Sequence, residues 1–122
     1  MKKILIVEDH EDFRTMVKQH LKAQDISDEI IEADSAELGI ALAVREQPHV
    51  ILMDIRLPEM NGIDAAIKIK ELVPRCQIIV LTMFETDVFK NVFKTDAVAA
   101  YLGKSELYEK LVPTINQALV KG

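Results

Sequence analysis

The sequence predicts an α/β fold, a doubly wound five-stranded parallel sheet with five helices over its faces. Three observations lead there. Five short apolar runs recur along the chain, segments with helical spacing lie between them, and residues 50–53 (VILM) are apolar at every position, as in a strand covered on both faces. Strands alternating with helices require right-handed crossovers, and those give a parallel sheet.

The elements follow in order. ILIV at 4–7 is the first strand, and Phe13, Val17 and Leu21, four apart, mark the first helix. EIIEA at 29–33 is the second strand. Leu38, Leu42 and Ala43 stripe the second helix, which Asp34 and Glu37 open as a capping box and the Gln-Pro-His around Pro48 stops. VILM at 50–53 is the third strand. It runs into Asp54 and then a loop in which Pro58 and Gly62 shape a turn, Gly62 supplying its backbone angle. Ile63, Ile67 and Leu72 mark the third helix, and IIVL at 78–81 the fourth strand. A fourth helix over 86–95 carries Val88, Val92 and Phe93 beside Asp87, Lys90 and Lys94, the least apolar of the set. AAYL at 99–102 is the fifth strand. The fifth helix, from Ser105 to about Val120, has the stripe Leu107, Leu111, Ile115 and Leu119, with Pro113 inside it removing a donor and expected to bend or restart it.

Bulk properties narrow the function. The 122 residues fit one domain, 1–122, large enough for a core without metal or disulfide staples. A formal charge of −5 with dispersed basic residues lacks the footprint of a nucleic-acid surface. The single cysteine, Cys76, permits no internal disulfide and reads as an inert loop residue in a reducing compartment. The opening MKKILIVED reaches acids after four apolar residues, too soon for a signal peptide, and no run approaches the ~20 apolar residues of a membrane span. A cytoplasmic protein without membrane contact is the expectation.

Ligands of such sheets bind beyond the carboxyl ends of the strands, where strand order reverses. The residues just past the strands are Glu8 and Asp9, Asp54, Thr82 and Lys104. With the strand order 2-1-3-4-5, the three acids share one crevice. Crowded like charges repel unless a cation joins them, and Mg²⁺, a hard ion that takes carboxylate, water and phosphate oxygens, suits that need. A carboxylate beside it could attack phosphorus, with Lys104 and Thr82 holding the phosphoryl oxygens. Taken singly, these residues have plainer readings: Asp54 as a turn or cap residue, Thr82 as a β-branched strand residue, Lys104 as a solvated surface lysine. His10, His20 and His49 show no metal-ligand spacing. Met53, Met60 and Met83 read as gap fillers.

VEDH at 7–10, MDIRLPEMNGID at 53–64, LTMF at 81–84 and AYLGKS at 100–105 together resemble the receiver domain of bacterial two-component response regulators, a flavodoxin-like fold, over essentially the whole chain. The strand order used above rests partly on that resemblance. It implies a signalling phosphoacceptor rather than an enzyme, though one that assists its own phosphorylation and dephosphorylation. Asp54 would accept the phosphoryl group from a phosphohistidine of a sensor histidine kinase or phosphotransfer protein. Asp9, Asp54 and the backbone carbonyl of Arg56 would ligate Mg²⁺, or Mn²⁺ in its stead, with Glu8 helping through water. Thr82 and Lys104 would clamp the phosphoryl group, and Tyr101 would be the aromatic switch, for which burial as core is an equal reading. The fourth helix, fifth strand and fifth helix are where relatives pair as phosphorylation-dependent homodimers.

Departures from the commonest receiver pattern carry expectations of their own. Ser105 replaces the frequent proline after Lys104, so a trans bond is expected there, a non-proline cis bond costing about 2.5–4 kcal/mol; Ser105 would also cap the fifth helix. Met83 would narrow donor access, and bulky Phe84 would slow phosphoryl loss. The motif variants resemble LuxR/NarL-type regulators, whose DNA-binding domain would lie beyond this chain and control transcription. A single-domain shuttle or adaptor is the second reading, distinguished by the full-length reading frame. A flavin carrier fits the topology but lacks a phosphate loop after the first strand, where Glu8 and Asp9 would repel phosphate.

Overall fold

The computed structural model describes residues 2–83 and 95–121. Five parallel strands, β1 (Lys3–Val7), β2 (Glu29–Ala33), β3 (Val50–Asp54), β4 (Gln77–Thr82) and β5 (Ala100–Gly103), form one sheet in the order β2-β1-β3-β4-β5. Between them lie α1 (Glu11–Ala23), α2 (Ala36–Glu46) and α3 (Gly62–Leu72), and a C-terminal helix (Leu107–Lys121) follows a 3₁₀ turn at Lys104–Glu106. The expected fourth helix at 86–95 and Phe84 lie outside the described residues, apart from Thr95.

Successive strand residues face opposite sides of the sheet, and the chain uses this to build two cores. Leu5, Val7, Ile51, Met53, Ile78 and Val80 pack under α2 and α3. Ile4, Ile6, Val50, Leu52, Ile79 and Leu81 pack under α1 (Val17, Leu21) and the C-terminal helix (Leu107, Leu111, Ile115). A strand that must be apolar toward both layers has no polar position left, which is why β3 reads as a continuous run.

The helix faces correct three expectations. Leu38, Ile67 and Leu72 are exposed. The buried faces are instead Ala36, Gly39, Leu42 and Ala43 on α2, and Gly62, Ile63, Ala65, Ala66 and Ile69 on α3. Small residues let these helices approach the sheet closely; a Cβ on Gly39 would stand 2.8 Å from a Val7 methyl carbon. Helix α2 starts one residue later than a cap at Asp34 requires. Ser35, in extended conformation, accepts a bond from the Leu38 amide at 3.1 Å. Its end is as expected: Gln47 turns left-handed, its side chain donates to the Val44 carbonyl, and Pro48 follows.

Ser105 lies inside the 3₁₀ turn and does not cap the C-terminal helix, which begins at Leu107 and runs through Pro113 without the expected restart. The Lys104–Ser105 bond is trans, and no cis bond occurs among the described residues. Cys76 is in a loop, as expected, but buried in the core, where desolvation pushes its thiol upward and keeps it protonated. Met53 fills core space and Met60 packs against it, whereas Met83 is 76% exposed and fills no gap.

Leu52 is fully buried at the centre of the sheet. Leu52→Ala is expected to cost about 2–5 kcal/mol in urea unfolding with an unchanged m-value. The α1–β2 contact gives a pH prediction. Burial alone would raise the Glu32 carboxyl, but Lys18 (3.0 Å) and Arg14 (3.1 Å) bond it and hold it below the ordinary range. A carboxylate lowered on folding stabilises fully above its unfolded value of about 4.3, and loses that stabilisation as pH falls through the lower folded value. Glu32→Gln is therefore expected to cost about 0.5–1 kcal/mol at pH 7, with the difference from wild type closing below about pH 4 in thermal melts.

Candidate functional site

The register brings the expected residues to one end of the sheet. Val7 pairs with Met53, so Glu8 and Asp9 follow β1 beside Asp54, the last residue of β3. Asp54 pairs with Leu81 and Thr82 with Gly103, which sets Thr82 and then Lys104 along the same edge. Asp54 and Thr82 close their strands instead of following them, and Asp54, Thr82 and Glu8 are buried.

Buried acids need partners. The Lys104 ammonium lies 2.8 Å from Glu8 Oε1 and 3.3 Å from Asp54 Oδ1, with the Phe13 ring 4.4 Å away on another side. Desolvation by itself lowers the lysine, but the Glu8 bond and the charges of Asp54 and Glu8 outweigh it, so its proton is held more firmly than in water. Burial, with the Asp54 charge added, pushes the Glu8 carboxyl upward against the opposing bond from Lys104. Glu8 also accepts from the His10 amide at 3.2 Å, and its own carbonyl accepts from Arg14 at 2.7 Å.

Glu8, Asp9, Asp54 and His10 each offer a ligand atom within 4.8 Å of the others. Asp9 Oδ1 is buried yet accepts no hydrogen bond. Three carboxylates and one ammonium leave two net negative charges when all are ionised. The donor set and the orphaned oxygen both fit a hard divalent cation.

The loop after β3 is built to hold Asp54. Asn61 caps α3, its side chain accepting from the Ile63 (2.6 Å) and Asp64 (3.3 Å) amides, and the Gly62 amide donates to the Ile55 carbonyl at 2.8 Å. Gly62 is there for space: no described glycine has positive φ, which corrects the expected backbone-angle role. A Cβ on Gly62 would overlap the Asp54 carbonyl oxygen and stand 2.8 Å from Ile55 Cα. Arg56 forms a short antiparallel bridge with Asn61. Tyr101 is half-buried against the α2–α3 core, and that burial raises its phenol.

Sequence reasoning set all three histidines aside. His49 accepts the Lys3 amide at 3.0 Å, and His20 packs edge-on against Tyr108 with centroids 4.9 Å apart. His10 lies beside the acids, its Nδ1 3.3 Å from Asp9 and 3.4 Å from Glu8. Adjacency to the acidic pair was the available signal. Phe13, a stripe residue of α1 by its spacing, also faces the Lys104 ammonium.

Fold and site together define a doubly wound α/β domain with buried acids at the switch point of its sheet. Residues 4–116 match the family described as "Response regulator receiver domain", and the chain belongs to that family. It is 31% identical to the response regulator GacA of Pseudomonas aeruginosa over 96% of its own length and 55% of that protein. With VraR of Staphylococcus aureus it shares 34% identity over 75% of this chain and 43% of that protein. The chain thus spans about half the length of the curated relatives it matches. Among solved structures it resembles a LuxR-family DNA-binding response regulator from Staphylococcus aureus (TM-score 0.83, 25% identity, 98% of this chain and 99% of that chain). It likewise resembles a CheY-like receiver domain from Methanospirillum hungatei (TM-score 0.81, 29% identity, 100% and 99%).

Gly62→Ala is expected to cost about 1–3 kcal/mol by overpacking. The clash falls on the Asp54 carbonyl oxygen and the Ile55 Cα, so the loss should come from the loop that holds Asp54. Urea unfolding measures the cost.

Proposed function

We propose that this receiver accepts a phosphoryl group on Asp54 from a phosphohistidine of a sensor histidine kinase or phosphotransfer protein, with Mg²⁺ or Mn²⁺ as cofactor. The observation that carries the reading is a buried Asp54 facing the Lys104 ammonium at 3.3 Å within the acidic cluster. An Asp54 carboxylate oxygen attacks phosphorus, an O–P bond forms, the N–P bond breaks, and the imidazole leaves with the electron pair. Glu8, Asp9, Asp54 and the Arg56 carbonyl would hold the cation, which when bound screens the acids from the incoming phosphoryl oxygens. Lys104, firmly protonated, shifts from Asp54 toward the new phosphoryl charge, and the Thr82 hydroxyl donates to it.

The charge change would bias Tyr101 and the surface of β5, the C-terminal helix and the expected fourth helix, where a homodimer could form. Relatives about twice this length, among them the transcriptional regulatory protein DegU of Brevibacillus brevis, support control of a DNA-binding domain as the output. The likeness to a receiver domain protein described as CheY-like supports a single-domain shuttle or adaptor as the second reading. The length of the native reading frame separates the two.

With acetyl phosphate, intact mass should show one Mg²⁺-dependent phosphoryl adduct that Asp54→Asn abolishes. An adduct of equal yield in that variant would move the site elsewhere.

A further inference from the structure

We propose that His10 supplies a nitrogen ligand to the divalent-cation site, so that the site favours first-row transition ions over Mg²⁺ by more than its carboxylates alone would. This rests on the cation site proposed above and concerns what that site selects.

The backbone of His10 is fixed and its side chain is not. It is the N-cap of α1, with φ −82° and ψ 108°, and its amide is tied to Glu8. Its side chain makes no cap bond and is 73% exposed, so the ring can turn without disturbing the helix. The ring nevertheless lies over the acids, with Nδ1 3.3 Å from the orphaned Asp9 Oδ1 and 3.4 Å from Glu8 Oε2. Ligand bonds of about 2.0–2.2 Å let one ion join atoms up to about 4.2 Å apart. The four candidate ligand atoms lie within 4.8 Å of one another, so small side-chain movements would bring them within that reach.

The chemistry then decides the ion. Mg²⁺ takes oxygen ligands and gains little from imidazole, whereas Mn²⁺, Co²⁺ and Ni²⁺ gain increasingly from a nitrogen donor. A carboxylate set with one imidazole therefore separates these ions more than carboxylates alone. Ni²⁺ would show the largest gap from Mg²⁺ among ions without redox or hydrolysis complications.

The test titrates the tag-free full chain with Mg²⁺ and with Ni²⁺ by calorimetry, and examines its Mn²⁺ complex by electron spin-echo modulation for a directly bound nitrogen. His10→Ala should weaken Ni²⁺ binding about tenfold or more while Mg²⁺ changes less than about twofold, and the nitrogen modulation should disappear. His10→Asp should keep Mg²⁺ affinity without restoring the modulation. Unchanged Ni²⁺ affinity in His10→Ala, equal losses for both ions, or a persisting nitrogen signal would overturn the proposal while leaving the acidic site intact. Affinities that Asp9→Asn and Asp54→Asn leave unchanged would remove the cation site itself.

Discussion

Everything at the carboxyl end of this sheet depends on keeping Glu8 and Asp54 out of water without letting them repel each other apart. Lys104 does this by bonding one and pairing with the other. Such a buried pair is weak evidence of stability, since desolvation of each ion offsets much of the Coulomb gain. Removing the lysine would leave uncompensated buried charge, which is far more costly than the intact pair is favourable. The arrangement makes sense as a poised site, in which the acids stay close because a cation of one kind or another always stands between them.

The surrounding fold is what makes that closeness affordable. Parallel strands start and end together, so the residues after β1 and β3 come side by side without any loop having to reach. The loop from Asp54 to α3 turns tightly because Gly62 has no Cβ to strike the Asp54 carbonyl and Asn61 satisfies the first free amides of the helix. Small buried residues along α2 and α3 bring those helices down onto Val7 and Met53, the two positions just before the acids. Packing on one face thus fixes the spacing of charges at the edge.

The sheet and the acidic crevice were legible in the sequence because strands buried on both sides must be apolar throughout, and an acid ending such a run stands out. Helix faces were less legible. Leu38, Ile67 and Leu72 drew attention as large apolar side chains, while the faces that pack are made of Gly39, Ala43, Ala65 and Ala66, whose value is small volume rather than hydrophobic area. Gly62 looked like a conformational glycine because steric exclusion by a neighbouring strand leaves no local trace. His10 escaped for a related reason: adjacent residues reach the same point only when the strand ends and the helix begins between them, and that bend is a property of the fold. Asp34 and Ser35 are both good caps, and local preference could not choose between them.

The length of the Lys104 contact bears on how a change at the site could leave it. Lys104 follows β5, the edge strand, and bonds Glu8 after β1, 96 positions away in sequence and across β3 and β4. With strands about 4.8 Å apart, the carboxyl ends of β5 and β1 are roughly 14 Å from each other, a gap that the Lys104 and Glu8 side chains span between them. Its own backbone begins the 3₁₀ turn that leads into the C-terminal helix. New negative charge on Asp54 would draw the ammonium away from Glu8 and pull on the backbone that carries it. The residues that would feel it first are Tyr101 to Leu107, an edge strand and a helix start with one flank free of the sheet. A sheet centre would resist the same displacement, because its strands are bonded on both sides.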